Sequence, residues 1–117
     1  MHELSIAMQI VEILEEEAKK HDAKTVSAVH LAIGTLSGVE PDALKFAMEE
    51  AVRESVAEKA ELHYHIIEAV AVCENCCNEF KTDDYFKVCP YCNSLNTSFL
   101  KGKELKISSL DIVTNHS

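Results

Sequence analysis

The stretch that decides the fold begins at Cys73 and ends at Cys92, and it reads Cys-Glu-Asn-Cys-Cys-Asn-Glu-Phe-Lys-Thr-Asp-Asp-Tyr-Phe-Lys-Val-Cys-Pro-Tyr-Cys. It holds all five cysteines of the 117-residue chain. Twelve residues separate two Cys-x-x-Cys pairs, Cys73 with Cys76 and Cys89 with Cys92. Each pair can occupy a tight turn with both sulfurs facing one centre, and four thiolates form the tetrahedron that a structural Zn²⁺ prefers. We therefore predict a zinc-binding ribbon that leaves Cys77 out.

Two other interpretations of these cysteines stay open, namely two disulfides and a mononuclear iron site of the rubredoxin kind. Reduced thiols of the cytosol favour metal over disulfide. Small redox ribbons usually carry Gly after the second Cys of each pair, whereas Cys77 and Asn93 stand there in this chain. A segment this short cannot bury enough apolar area to fold alone. We therefore expect the metal to supply folding free energy on the order of 10 kcal/mol.

The acidic composition limits the classes of partner. Twenty acidic residues against eleven basic ones give a formal net charge of −9. Binding to nucleic acid needs Lys and Arg against phosphate, so we expect no nucleic-acid partner. The sequence shows no apolar run of membrane-spanning length and no signal peptide, which predicts a cytoplasmic protein with no membrane partner. It also lacks the G-x-x-x-x-G-K-[ST] phosphate loop, and we expect a protein that is not an enzyme.

Hydrophobic periodicity predicts the order helix, strand, helix, strand, ribbon, strand. The first helix carries an apolar stripe that is widened by three isoleucines. Its members are Leu4, Ile6, Ala7, Ile10, Val11, Ile13, Leu14 and Ala18. Val29, Leu31 and Ile33 alternate as one face of a strand. Pro41 suits the first turn of a second helix, whose inward stripe is predicted to be Leu44, Met48, Ala51, Val52 and Ser55.

The last third of the chain completes this pattern. Residues 61–72 resemble one long strand that runs into Cys73. After the ribbon, apolar alternation shifts phase at Ser108 and Ser109, which is the signature of a β-bulge in a final strand. We predict an α+β fold of two helices packed on a small three-stranded sheet, with an inserted zinc-ribbon knuckle. The predicted domains are residues 1–72 with 99–117, and residues 73–98 for the ribbon.

The first three residues carry a different donor chemistry. Removal of an initiator methionine generally requires a small second residue, so the large His2 predicts that Met1 stays with a free α-amine. That amine, the His2 amide nitrogen and the His2 imidazole can form fused chelate rings. Such nitrogen donors favour square-planar Ni²⁺ or Cu²⁺. Glu3 could add a further donor. Taken alone, a His at position 2 is more often a solvated residue at a frayed terminus.

Histidines elsewhere offer a competing site. His63 and His65 share one face of the strand predicted for residues 61–72, and a His-x-His pair can chelate a metal. Exposed histidines on an open sheet face are the more ordinary interpretation. His30 lies opposite the apolar face of its own strand and is also interpreted as a surface residue.

The whole chain resembles the HypA/HybF family of nickel chaperones, which mature [NiFe] hydrogenases. The resemblance rests on Met1-His2-Glu3-Leu4-Ser5-Ile6-Ala7 opening a helix, together with Cys73-x-x-Cys76 and Cys89-Pro-Tyr-Cys92. It extends to Ile33-Gly34, Ser37-Gly38-Val39-Glu40-Pro41 and Ser55-Val56-Ala57-Glu58.

The resemblance implies the roles of these residues. His2 would be the principal nickel ligand, and Glu3 would take part in nickel binding, with Met1 beside them. Glu40 would be a carboxylate near the nickel; the alternative is that it complements the positive end of the second helix. The four paired cysteines would hold a structural zinc.

The partners implied by the resemblance are a HypB-type accessory GTPase, the hydrogenase large subunit and, in some organisms, urease accessory proteins. A monomer or weak homodimer is expected. The alternatives are an acidic zinc-ribbon adaptor without nickel transfer and a rubredoxin-like electron carrier.

Overall fold

The computed structural model describes residues 3–83 and 87–114. Within these residues the chain forms two helices and six strands. In chain order they are α1 (Glu3–Lys20), β1 (Ala23–Gly34), α2 (Pro41–Ala51), β2 (Glu61–Ile67), β3 (Val70–Cys73), β4 (Glu79–Lys81), β5 (Thr97–Lys101) and β6 (Leu105–Thr114). The predicted α+β class and both helices are confirmed. The strands form two three-stranded sheets, with orders β2-β1-β6 and β4-β3-β5.

Helix α1 buries a narrower stripe than the sequence predicted. Its buried residues follow the spacing i, i+3, i+7 and i+11, and they are Ala7, Ile10, Leu14 and Ala18. Leu4, which was predicted to begin the stripe, and Ile13, which was predicted to widen it, are 53% and 46% exposed. One helix face covers about a third of the circumference, so residues at the edge of a wide apolar stripe reach solvent.

Helix α2 begins where the sequence predicted and ends earlier. Glu40 is the N-cap, with extended backbone (φ −81°, ψ 116°), and its Oε1 accepts a hydrogen bond from the Asp42 amide at 3.2 Å. The buried residues are Leu44, Ala47 and Met48. Ser55 was predicted to belong to the inward stripe of the helix, but it lies beyond the last helical residue, and its hydroxyl donates to the Val52 carbonyl at 2.6 Å.

The single long strand predicted for residues 61–72 is two strands, β2 and β3, with a break at Glu68 and Ala69. The Ala69 amide donates to Thr35 Oγ1 at 3.2 Å, and the Ala69 carbonyl accepts from the Thr82 amide at 3.0 Å. Gly102 lies against Ala69, since a Cβ added to Gly102 would be 2.2 Å from the Ala69 Cα. Both backbone groups of Ala69 therefore have partners at the point where the strand breaks.

The first sheet has β1 at its centre and β6 at one edge. Along β6, exposure alternates up to Ile107 and resumes out of phase at Leu110, with Ser108 and Ser109 both exposed. This is the phase shift that the predicted β-bulge requires. In the second sheet, β3 pairs antiparallel with β4 on one side and with β5 on the other.

Two compact units make up the described chain. The first comprises residues 3–31, 39–65 and 107–114, and the second comprises residues 32–38, 66–83 and 87–106. The second unit contains the whole β4-β3-β5 sheet and all five cysteines. Neither described helix is both long and apolar enough to cross a membrane.

Candidate metal centre

The four paired cysteines come together at one point of the second compact unit. Cys73 ends β3, Cys76 follows in the adjoining turn, and Cys89 and Cys92 lie in the turn before β5. Their Sγ atoms all lie within 4.8 Å of one another, so the four residues form a group that could hold a metal ion. We call this group the four-cysteine cluster.

The spacing of the sulfurs fits a tetrahedral zinc site. The Cys73 and Cys92 sulfurs are 3.5 Å apart, and the Cys76 and Cys89 sulfurs are 3.6 Å apart. Four sulfurs at about 2.3 Å from a central Zn²⁺ would lie about 3.8 Å apart. A disulfide needs about 2.05 Å, and all five cysteines are free. The four sulfurs are thus close to the spacing that tetrahedral coordination of one ion requires.

Two turns of the same geometry carry the two cysteine pairs. The Cys77 amide donates to the Cys73 carbonyl at 2.8 Å, and the Asn93 amide donates to the Cys89 carbonyl, also at 2.8 Å. Cys77 and Asn93 both have φ of 63°. This left-handed conformation explains why Gly is common at these positions in small ribbons, and Asn tolerates it better than most residues. The role of Cys77 is thus to close a turn while its thiol stays exposed.

Hydrogen bonds prepare the sulfurs for metal. The Cys76 amide donates to Cys73 Sγ, and this bond is the main cause that lowers the pKa of Cys73 to about 6. The Ser94 amide favours the Cys92 thiolate, but Cys92 shares a proton with the Cys73 sulfur and is partly desolvated, and together these raise the pKa of Cys92 to about 12. The thiolate is the form that binds metal.

The cluster also supplies half of the buried residues of the local core. Cys73 and Cys89 are fully buried beside Ala71 and Phe80, with Cys76 and Phe99 packed against them. Few large aliphatic side chains take part. We therefore expect a bound metal to contribute to the folding free energy of this segment.

The predicted nickel residues are only partly within the described chain. Met1 and His2 lie outside the described residues, so the predicted amine and imidazole ligands stay predictions. Glu3 is the first residue of α1, and its Oε2 accepts a hydrogen bond from the Glu40 amide at 3.4 Å. The structure therefore brings Glu3 and Glu40 together, although 36 residues separate them in the sequence.

The histidines that were interpreted as separate surface residues also come together. His30 of β1 lies beside His63 and His65 of β2, and the His30 and His65 rings are in hydrogen-bond contact. Sequence alternation indicated that His30 lies opposite its strand's apolar face. It could not show that β1 and β2 are neighbours, because a helix and a loop separate them in the chain.

The family is decided by a match over nearly the whole chain. Residues 1–112 match the family model described as "Hydrogenase/urease nickel incorporation, metallochaperone, hypA". The chain belongs to the HypA/HybF family. The resemblance read from the N-terminal residues and the cysteine pairs is thereby confirmed.

Individual relatives agree with this assignment. A hydrogenase maturation factor HypA of Parabacteroides distasonis is 45% identical over 112 residues, which are 96% of this chain and 97% of that protein. The factor of the same name from Psychromonas ingrahamii is 43% identical over 112 residues, which are 96% of this chain and 98% of that protein. The solution structure of the Ni metallochaperone HypA from Helicobacter pylori matches with a TM-score of 0.72 and 29% identity, covering 98% of this chain and all of that one.

Proposed function

We propose that the protein is a cytoplasmic nickel metallochaperone that binds Ni²⁺ at its N-terminus and delivers it for assembly of the [NiFe] hydrogenase active site, with urease maturation as a further destination. The match to a family described by nickel incorporation over residues 1–112 carries this proposal. No reaction is assigned to the chain, because a carrier needs only to capture and release its cargo.

The proposed nickel ligands are the Met1 amine, the His2 amide nitrogen and the His2 imidazole, with Glu3 as a further donor. An ionised amide and an imidazole suit square-planar Ni²⁺. The bond between the Glu3 carboxylate and the Glu40 amide supports this arrangement, because it ties the first helical residue after His2 to the start of α2. The Glu40 carboxylate is held as the cap of α2, and it is proposed as a nearby negative charge for the cation.

The two proposed metals have different tasks. Four sulfurs around a structural Zn²⁺ leave no open position for a partner, so this site suits architecture. A site at a chain terminus suits transfer, because a partner can approach its ligands and replace them one at a time. We therefore assign zinc to folding and Ni²⁺ to cargo.

The proposed partners are those that the family implies. A HypB-type accessory GTPase and the hydrogenase large subunit would give and receive nickel, and urease accessory proteins would take their place in urease maturation. The acidic net charge of −9 suits contact with basic protein surfaces and attraction of cations. The chain itself would act as a monomer or weak homodimer.

One observation favours a second candidate, an acidic zinc-ribbon adaptor that transfers no nickel. Tyr91 and Leu95, near the second cysteine pair, are 66% and 75% exposed. Exposed apolar side chains of this size are common at protein contacts. The adaptor needs neither a free amine nor His2, whereas the chaperone needs both, and this difference separates the two candidates.

The test is a nickel titration of the untagged, zinc-loaded protein, followed by the absorption of square-planar Ni–N coordination. His2→Ala should weaken nickel binding by at least about tenfold, since even removal of an outer partner of a metal ligand costs that much. Residues added before Met1 should have the same effect, because they remove the α-amine and keep every side chain. His21→Ala is the matched control and should leave nickel affinity unchanged.

Zinc content and far-ultraviolet circular dichroism should be equal in all four proteins. Full-strength absorption of square-planar Ni–N coordination in both the His2→Ala and the extended protein would reject the chaperone in favour of the adaptor. A red protein with one iron and no zinc would point instead to the rubredoxin-like carrier.

A further inference from the structure

Three histidines lie together on one face of the first compact unit. His30 is in the middle of β1, and His63 and His65 are two residues apart on the neighbouring strand β2. The His30 ring stacks on the His63 ring with centroids 4.5 Å apart, and on the His65 ring with centroids 5.1 Å apart. We call these residues the histidine cluster.

Two ring nitrogens of the cluster already have the spacing of metal ligands. His30 Nδ1 and His65 Nε2 are 2.8 Å apart. Two nitrogens bound at right angles to one ion, each at about 2.1 Å, would lie about 3.0 Å apart. The observed distance is therefore close to that of two adjacent ligands in square-planar or octahedral coordination.

Without a metal, this contact needs a proton between the two rings. One ring donates N–H to the lone pair of the other. For a metal to bind both nitrogens, the donating ring must move its proton to its other nitrogen, and both rings stay neutral. The metal then takes the place of the shared proton, and the rings need not release any proton to bind it.

A third nitrogen is within reach. His63 and His65 are both exposed, and His30 is half-buried. Rings at such positions change rotamer rapidly, so the stacked His63 ring can turn an Nδ1 or Nε2 toward the other two. Three imidazoles with one open position for water form the donor set of known protein zinc sites.

The surroundings favour a cation. Exposure along β2 alternates so that Glu61, His63 and His65 share one face. The Glu61 carboxylate thus lies on the same strand face, where it can attract a cation or donate an oxygen. The chain as a whole carries a net charge of −9.

We propose that His30, His63 and His65 form a site for a divalent late transition metal such as Ni²⁺, Cu²⁺ or Zn²⁺, separate from both the four-cysteine cluster and the N-terminus. Imidazole suits these ions, whereas Mg²⁺ and Ca²⁺ prefer oxygen. The site has no backbone amide ligand, so it does not depend on Met1. It would hold a further metal ion whether or not the N-terminal proposal is correct.

The experiment uses the full chain, zinc-loaded and without an affinity tag. It carries extra residues before Met1 and the substitutions His2→Ala and His116→Asn, and we call it the background protein. Of the six histidines, this background keeps only His21 and the cluster. Equilibrium dialysis with Ni²⁺ should find one bound equivalent while the zinc content stays constant. The double variant His63→Asn with His65→Asn should lose that equivalent.

The matched control is His21→Asn, because His21 is exposed directly after α1 and contacts Glu17 at 3.5 Å rather than another histidine. It should keep the bound equivalent. No nickel uptake by the background protein would overturn the proposal. So would equal uptake by the His63→Asn, His65→Asn protein.

A second measurement needs no further variant. Substoichiometric Cu²⁺ should broaden the ring resonances of His30, His63 and His65 in the background protein and leave those of His21 sharp. Equal broadening of all four rings would mean unspecific binding and would contradict the proposal.

Discussion

The two compact units differ in the kind of residue that forms their buried cores. The first unit fully buries aliphatic side chains, among them Leu14, Val29, Leu31, Leu44 and Met48. The second unit builds the core beside its β4-β3-β5 sheet from Ala71, Cys73, Phe80 and Cys89. Two of those four residues are thiols of the proposed zinc site. The comparison teaches that removal of apolar area from water stabilises the first unit, whereas the ribbon buries so little that we expect a bound metal to stabilise it.

The largest expected effect tests the ribbon. Cys89→Ser removes one of four ligands and should release the zinc, with loss of a folding contribution on the order of 10 kcal/mol to this segment. Amide resonances of β3, β4 and β5 should lose their dispersion. The helical signal of α1 and α2 in circular dichroism should remain. Zinc analysis and heteronuclear NMR measure the two effects.

Cys77→Ser is the matched control for this variant. Cys77 is exposed, and the described geometry gives its backbone, not its sulfur, the structural part. The Cys77→Ser protein should keep its zinc and the dispersion of its amide resonances. If both variants lost zinc equally, Cys77 would be a ligand, and the contrast between the two regions would have to be redrawn.

The next largest effect is expected for a substitution in the aliphatic core of the first unit. Leu44→Ala removes a side chain with 0% exposure and should lower the free energy of unfolding by about 2–5 kcal/mol. Phe46→Ala truncates a larger side chain on the same helix, but Phe46 is 70% exposed, so its cost should be within about 0.5 kcal/mol. Urea denaturation of the zinc-loaded proteins measures both. Equal costs would mean that Phe46 is covered in solution, against the structure.

The smallest effect tests a polar contact within the first unit. Glu15 Oε1 accepts a hydrogen bond from the Val56 amide at 2.9 Å, and the contact is partly buried. Glu15→Ala should lower the free energy of unfolding by about 1–2 kcal/mol, because the amide loses a charged acceptor. The exposed Glu16 is the control, and Glu16→Ala should change stability little. A cost that is the same for both would show that the bond contributes nothing.

Local signals predicted much of the fold and of the cysteine site. The stripe at Ala7, Ile10 and Leu14 has helical period, and Pro41 marks the start of α2, so both helices were identified. The spacing of the cysteine pairs predicted the cluster without knowledge of β3 or β5, since each Cys-x-x-Cys turn is a local structure. Such features depend on neighbours within a few residues, and this is why the sequence alone reveals them.

The break between β2 and β3 could not be found in this way. Residues 61–72 contain no Gly or Pro to mark a break, but Thr35 and Gly102, both distant in sequence, meet the chain at Ala69. The edge of the α1 stripe was missed for a similar reason. Which of Leu4, Ile10 and Ile13 is buried depends on what packs against the helix and not on the period itself.

By itself the sequence determined the donor chemistry of this protein: four thiols in two local pairs, an N-terminal Met-His-Glu segment and an acidic net charge. The tertiary structure alone decided which distant donors meet, namely Glu3 with Glu40 and His30 with His63 and His65. The physical reason is the separation in sequence between the atoms that interact. Turns and helices are fixed by atoms a few residues apart, whereas strand pairing and helix packing are chosen by burial of the whole chain, which no short segment records.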